Sequence, residues 1–151
     1  MSLTPRPART ADGAGVATCY LRATAKLGGL RRCNGPQDMW RHFQNTAWKN
    51  DTWVIEHKGQ LAAFMVLTPG WLEHLYVHPR HQGQGHGTSL LQTAKARLDK
   101  GFQLWTFQLN RNAQLFYEHH GLNVKARTDG RRNEEKLPDL LYVWKKEQAE
   151  R

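Results

Sequence analysis

The segment Gln82 to Gly87, with the order Gln-Gly-Gln-Gly-His-Gly, is the part of the chain best suited to bind an anion. It follows an extended apolar run, Trp71 to Val77, that stops before Pro79, and a helix is predicted to begin at about Gly87. A glycine-rich turn between a strand and a helix directs backbone N–H groups at one point, at the positive end of the helix dipole. Because glycine has no Cβ, phosphate oxygens can approach this backbone closely. The segment therefore predicts a phosphate-binding loop.

The spacing of the glycines disfavours two common nucleotide sites, since it fits neither Gly-x-Gly-x-x-Gly nor Gly-x-x-x-x-Gly-Lys-Ser/Thr. The alternative is a turn that binds nothing, because glycine-rich turns more often only redirect the chain. Two further segments favour binding. Leu75 to Pro79 is Leu-Tyr-Val-His-Pro, and Asn110 to Leu122 contains an asparagine, the run Phe-Tyr-Glu and then Gly-Leu.

In this order, the three segments resemble the signatures of the GNAT superfamily of acetyl-CoA-dependent N-acetyltransferases. Gln82 to Gly87 is similar to its pyrophosphate motif, Gln/Arg-x-x-Gly-x-Gly/Ala. The resemblance spans approximately Arg6 to Trp144 and is specific from Leu75 to Leu122. It implies transfer of an acetyl group from acetyl-CoA, the cosubstrate, to a primary amine of an unidentified acceptor, by direct attack in a ternary complex. The alternative is a CoA-binding regulatory module without catalysis.

The resemblance also implies which residues hold acetyl-CoA. The strand end Leu75, Tyr76 and Val77 holds the pantetheine arm, with the Val77 N–H directed at the thioester oxygen. Asn110, near the start of the last short helix, hydrogen-bonds the same arm. The loop that binds the pyrophosphate supplies the remaining cofactor-binding residues: Gln82, Gly83, Gln84, Gly85, His86, Gly87 and Thr88. His86 departs from the family pattern, which usually has an apolar or small residue at that position.

Two residues are candidates for catalysis. The resemblance implies that Tyr117 protonates the departing thiolate; the alternative is that it only packs the helix on the sheet, as we expect of Phe116. Strict alternation along the strand places Glu73 on the face of Leu75 and Val77, where its carboxylate could take the proton of the amine. The alternative for Glu73 is a surface carboxylate. Alternation directs His74 to the other face, which makes it the weaker candidate for the base.

The eight histidines do not predict a metal site. No His-Glu-x-x-His motif and no Cys/His quartet occurs in the sequence. We expect these histidines to be solvated or to lie in loops, so the prediction is an enzyme without a metal.

The composition predicts one domain over residues 1–151, because the chain is long enough for one buried core and too short for two. No apolar run reaches the roughly 20 residues of a membrane span. The N-terminus has no secretory pattern, and two cysteines without paired spacing suit reduced thiols, so we expect a cytoplasmic protein. The net charge of +9 raises the question of nucleic acid, but the basic residues are dispersed, which disfavours it. The sequence does not determine the oligomeric state, and a homodimer is one of the alternatives.

The predicted elements are those of an α/β fold with a mixed, mostly antiparallel central sheet flanked by helices, the order of the resembled family. Thr10 or Asp12 is predicted to cap the first helix. The predicted elements, in chain order, are a strand at Arg6–Arg9, helices at Gly13–Lys26 and Met39–Lys49, strands at Thr52–His57, Gln60–Leu67 and up to Val77, a helix from about Gly87 to Gly101, a strand at Phe102–Leu109, a helix at Asn112–His120, and strands at Leu122–Thr128 and Leu140–Trp144.

The loop from Asn133 to Asp139 is rich in carboxylates and lies between the last two predicted strands. With Glu73 it predicts a negative pocket that attracts a cationic amine. The alternative is a solvated hairpin tip.

Overall fold

The computed structural model describes residues 4–25, 41–42, 51–133 and 135–146. These residues form a seven-stranded sheet in the order β1-β2-β3-β4-β5-β7-β6, in which only the β4–β5 pair is parallel. The elements are β1 (Arg6–Pro7), α1 (Gly13–Thr24), β2 (Asp51–His57), β3 (Gln60–Thr68), β4 (Trp71–Val77), α2 (His86–Arg97), β5 (Phe102–Phe107), α3 (Arg111–His119), β6 (Asn123–Thr128) and β7 (Asp139–Trp144). The predicted α/β class and mostly antiparallel sheet are confirmed.

The strands predicted at Thr52–His57 and Gln60–Leu67 are present as β2 and β3. Strand β4 and the helix after the glycine loop are also present, with small differences from the prediction at the ends of the elements. The largest is at α2, which ends at Arg97, about one turn before Gly101. The predicted helix Met39–Lys49 lies outside the described residues except for residues 41 and 42. Of the helices that the model describes, none is long and apolar enough to cross a membrane.

Helix α1 begins at Gly13 without a side-chain cap, so the prediction that Thr10 or Asp12 caps it is wrong. Thr10 to Asp12 form a short 3-10 turn instead. The Asp12 carboxylate accepts hydrogen bonds from the Arg6 guanidinium at 2.8 and 2.9 Å and from the Arg9 backbone N–H at 2.7 Å. The bonds from Arg6 hold the pKa of Asp12 below its usual value. Asp12 therefore ties β1 to the start of the helix.

Each face of the sheet is covered by helices. Helix α1 packs on one face, where Val16, Ala17 and Cys19 meet Phe64 and Val54 of the central strands. Helices α2 and α3 pack on the other face, in the larger cluster. That cluster contains Leu90, Leu91, Ala94, Tyr117, Ile55, Met65, Leu67, Leu72, Phe102, Leu104, Leu140 and Tyr142. The alternation of apolar side chains along β3 and β4 supplies both faces from the same strands.

Strand β4 contains a bulge that breaks this alternation. Val66 of β3 pairs with His74, whereas Leu67 pairs with Leu72, so Glu73 has no partner across the ladder. The bulge removes the strict alternation from which we predicted that Glu73 shares a face with Leu75 and Val77. Glu73 is the extra residue of the bulge, and its side chain is exposed.

Candidate active site

A cleft opens between β4 and β5. These neighbouring strands share a single register pair, Trp71 with Gln103, and they diverge beyond it. The space between them is about 510 Å³ in volume and reaches from the strand edges to the loop before α2 and to the inner side of α3. Because β5 does not pair with the later part of β4, that edge of β4 is free to bind an extended ligand.

The backbone direction of β4 shows which groups face this cleft. The His78 N–H donates to the Ala62 carbonyl at 2.8 Å, towards β3. Successive N–H groups of a strand point to opposite edges, so the Val77 N–H points into the cleft. The Gln82 side-chain amide donates to the Val77 carbonyl at 3.2 Å and fixes the end of the strand. The orientation of the Val77 N–H is the one that binding of a thioester oxygen requires.

The glycine loop uses its glycines in two ways. Gly83 and Gly85 have φ angles of 76° and 88°, in the left-handed region that favours glycine. A Cβ on Gly87 would lie 3.2 Å from the Phe116 ring, so Gly87 allows α3 to approach α2 closely. Gly85 precedes α2 without a side-chain cap, and the first N–H groups of the helix therefore stay available to an anion. The Thr88 hydroxyl oxygen lies 3.2 Å from His120 Nε2, within hydrogen-bond distance.

His86 is buried below this loop, at 1% exposure, and neither ring nitrogen has a hydrogen-bond partner. Its ring centroid lies 5.9 Å from that of His57 and 6.1 Å from that of His81. His78 lies 5.8 Å from His81, and His81 Nε2 is 2.8 Å from the Gln60 side-chain oxygen. We call His57, His78, His81 and His86 the histidine cluster.

The prediction that the histidines are solvated or lie in loops is wrong for His86, which is buried at the start of α2. His78 and His81 lie in the turn after β4, as predicted, but they are buried as well. Burial, and then the positive charge of neighbouring groups, holds the pKa of His78 and of His86 below the usual value. Within the described part of the chain, no group of three or more potential ligands is arranged to hold a metal ion.

Tyr117 lies on the cleft wall formed by α3 and is 6% exposed. Its ring packs against Phe116 at 5.3 Å and Tyr142 at 5.8 Å between centroids. Burial raises the pKa of the Tyr117 phenol, so it keeps its proton at neutral pH. Asn110 caps the same helix, because its side-chain oxygen accepts from the Ala113 N–H at 3.2 Å.

Glu73 and His74 lie next to each other on β4 in different surroundings. Glu73 lines the cleft, and its carboxylate accepts a hydrogen bond from the Thr68 hydroxyl at 2.8 Å. His74 lies among the rings that pack under α1, 6.1 Å from Tyr20 and 6.4 Å from Phe64. Burial lowers the pKa of His74 to about 4, and the ring is neutral at physiological pH.

The cleft brings together all of the predicted site residues except Gln84, which does not line it. The opposite wall of the cleft is formed by four residues of β5 that were not among the predicted site residues: Leu104, Trp105, Thr106 and Phe107. The aromatic content of this strand was visible in the sequence, but its position beside β4 was not.

Known proteins were compared with this chain. Residues 48–122 match the family model described as an acetyltransferase (GNAT) domain. The chain belongs to the GNAT superfamily. Members of this family transfer acetyl groups and use acetyl-CoA. No sequence among the curated proteins matches this chain.

Solved structures of other proteins share the fold at low sequence identity. Apo YjaB from Escherichia coli is 18% identical, with a TM-score of 0.77 over 93% of this chain and 96% of that one. The yncA acetyltransferase structure from Salmonella typhimurium contains its cofactor acetyl-CoA; it is 18% identical, with a TM-score of 0.73 over 95% and 93%. An N-acetyltransferase from Staphylococcus aureus Mu50 is 12% identical, with a TM-score of 0.76 over 93% and 100%. At these identities the likeness establishes the fold.

Proposed function

We propose that this GNAT protein transfers an acetyl group from acetyl-CoA to a primary amine by direct attack within a ternary complex. The proposal rests on the way β4 parts from β5, which leaves the Val77 N–H facing a cleft between the glycine loop and Tyr117. An anchored donor, a polarised carbonyl and a proton source for the leaving thiolate would then lie along one groove.

Acetyl-CoA would lie in this groove with its pantetheine arm along Leu75, Tyr76 and Val77 and close to Asn110. Its pyrophosphate would lie at the start of α2, where free backbone N–H groups and the helix dipole stabilise negative charge. The loop residues that we assign to the phosphates are Gln82, Gly83, Gln84, Gly85, His86, Gly87 and Thr88. His86 would act here through its backbone, because its ring is turned into the histidine cluster.

In the reaction the amine nitrogen attacks the thioester carbon, and the carbon–sulfur bond breaks after the tetrahedral intermediate forms. The Val77 N–H would stabilise the developing oxyanion, a contribution of about 3–4 kcal/mol for one such donor. Glu73 would take the proton of the amine, and Tyr117 would protonate the thiolate. Cys19 plays no part in this mechanism, since it is buried under α1 with its pKa raised by burial to about 12.

A panel of primary amines, with release of free CoA as the readout, tests this proposal. Acetyl-CoA affinity should be measured by calorimetry on the same protein. We expect release of CoA that depends on at least one amine and formation of the corresponding amide. Tight binding of acetyl-CoA without acetylation of any amine would instead support a CoA-binding regulatory module.

A further inference from the structure

A second cleft lies beside the first, on the far side of β5. It is about 800 Å³ in volume, and Trp105, Thr106 and Phe107 line both clefts. Trp105 is 49% exposed, an unusual environment for so large an apolar side chain. The remaining walls come from β6, the loop after it and the start of β7: Arg127, Thr128, Asp129, Arg131, Arg132, Asn133, Glu135 and Asp139. The two clefts therefore adjoin each other along β5.

Two of the carboxylates in the second cleft already have partners. Asp129 lies 3.3 Å from Arg131, between a carboxylate oxygen and the guanidinium Nε. Asp139 is 8% exposed and accepts hydrogen bonds from the Thr128 hydroxyl and, at 3.1 Å, from the Asn133 amide. These carboxylates therefore hold the loop together rather than offer a site for a cation. The loop has two further acidic residues, Glu134 and Glu135, of which Glu134 lies outside the described residues.

The charges that stay available are of both signs. Arg127 and Arg132 are exposed, and neither forms an ion pair with a described residue. Glu135 is partly buried on the same wall. Burial is the main cause of the raised pKa of the Tyr76 phenol, and the charge of Glu135 adds to it.

From this arrangement we infer that the second cleft binds the acetyl acceptor, and that the acceptor carries a carboxylate as well as its primary amine, as an amino acid does. The guanidinium groups of Arg127 and Arg132 match the geometry of a carboxylate and bind it with paired N–H donors. Glu135 pairs with the ammonium group before it loses its proton. The inference rests on the proposed function, because it names the substrate class of the same reaction.

Acceptors with other charge patterns fit this cleft less well. A diamine would place a cation next to two unpaired guanidinium groups, and a dianion without an amine would leave Glu135 unpaired. The sequence predicted a negative pocket formed by this loop with Glu73. Among the described residues that line the second cleft, Arg127, Arg131 and Arg132 add positive charge to its carboxylates.

Matched acceptors test the inference. Each common L-amino acid is compared with its own carboxamide, which keeps the amine and the side chain and loses only the negative charge. We expect kcat/KM for the preferred amino acid to exceed that for its carboxamide by about 10-fold or more, the effect of one charged contact of about 1.4 kcal/mol. Arg127→Gln and Arg132→Gln should raise KM for the amino acid by a similar factor and leave KM for the carboxamide unchanged.

Lys125→Gln is the matched control, because it removes the same charge from the same strand and Lys125 lines neither cleft. It should leave both KM values unchanged. Equal use of amino acids and carboxamides, or the same effect of Lys125→Gln and Arg127→Gln, would overturn the inference.

A second measurement separates this inference from the proposed function. Binding of amino acids to the protein saturated with CoA can be followed by tryptophan fluorescence, since Trp105 lines the cleft, and it needs no turnover. Saturable binding that weakens in Arg127→Gln supports the inference even if no acetyl transfer occurs. Transfer to neutral amines without any binding of amino acids would instead overturn the inference and retain the proposed function.

Discussion

The ring centroids of His81 and His86 lie 6.1 Å apart below the glycine loop, and three of their four ring nitrogens are buried without a hydrogen-bond partner. His57 lies 5.4 Å from His81 and His78 lies 5.8 Å from it, so the rings share one pocket. Besides burial, the positive charges of His81, Arg80 and Arg22 lower the pKa of His78. In the described surroundings no carboxylate forms an ion pair with the histidine cluster. The surroundings therefore favour the neutral rings of His78 and His86.

We predict that the protein loses stability as the pH falls below 6.5, because His78 and His86 have lowered pKa values in the folded state. The folded-state pKa values of His78 and His86 lie below the unfolded value of 6.5, so the unfolded chain takes up protons first. Their contribution is complete above pH 6.5 and is lost as the pH falls towards the folded pKa values. His86→Leu should raise the free energy of unfolding at pH 7.5 by about 1–3 kcal/mol, because it removes two unpartnered buried nitrogens. It should also flatten the pH dependence.

Urea unfolding at pH 7.5 and pH 5.5 measures both effects. His119→Leu is the control, since His119 is exposed on α3 and its charge is only a secondary cause of the lowered pKa of His120, so it should change the pH dependence less than His86→Leu does. A wild-type protein with the same free energy of unfolding at both pH values would contradict the prediction.

The glycine loop gives a second prediction, in which backbone strain and phosphate binding are separated. Gly83 and Gly70 have φ angles of 76° and 79°, and a Cβ at either would meet nothing within 4 Å. Gly83→Glu and Gly70→Glu should therefore destabilise the fold equally, by roughly 1–2 kcal/mol. Only Gly83→Glu places a carboxylate in the cosubstrate cleft, and we expect it to weaken acetyl-CoA binding by more than about 10-fold.

Calorimetric titration with acetyl-CoA and thermal unfolding of both variants make the comparison. The assignment of the pyrophosphate to this loop is wrong if Gly83→Glu folds and binds acetyl-CoA as Gly70→Glu does.

A third prediction concerns the hydroxyl of Tyr117. Tyr117→Phe keeps the packing against Phe116 and Tyr142 and removes the proton that we assign to the leaving thiolate. We expect kcat to fall by about 10–100-fold with little change in acetyl-CoA affinity. Tyr142→Phe is the control: its hydroxyl donates to Glu118 at 2.6 Å away from the reaction, so its loss should lower stability and spare kcat. Equal kcat in wild type and Tyr117→Phe, measured where chemistry limits the rate, would leave Tyr117 a packing residue.

Local patterns in the sequence were sufficient for the elements and for the position of the loop. The strands predicted at Thr52–His57 and Gln60–Leu67 form the β2–β3 hairpin, and the helix predicted from about Gly87 forms α2. Both features depend on residues a few positions apart, and the structure confirms them.

Features that depend on distant residues could not be predicted in this way. The bulge at Glu73 arises from the register of β4 against β3, which the alternation along one strand does not predict. The histidine cluster joins the end of β2 to the start of α2, so the buried environment of His86 depends on how the sheet folds. The second cleft likewise requires β5 and β6 to lie on either side of β7.

The last prediction concerns Glu73, which the bulge leaves exposed at the edge of the cosubstrate cleft. Glu73→Gln keeps the size of the side chain and an oxygen that can accept from the Thr68 hydroxyl, but it removes the basic carboxylate. If Glu73 takes the proton of the amine, kcat/KM should fall by about 100-fold or more. Thr68→Val is the control, because it removes the 2.8 Å hydrogen bond and leaves the carboxylate in place. Full activity in Glu73→Gln would show that Glu73 is a surface carboxylate without a catalytic role. An equal loss of activity in Glu73→Gln and Thr68→Val would show that Glu73 acts by stabilising the bulge.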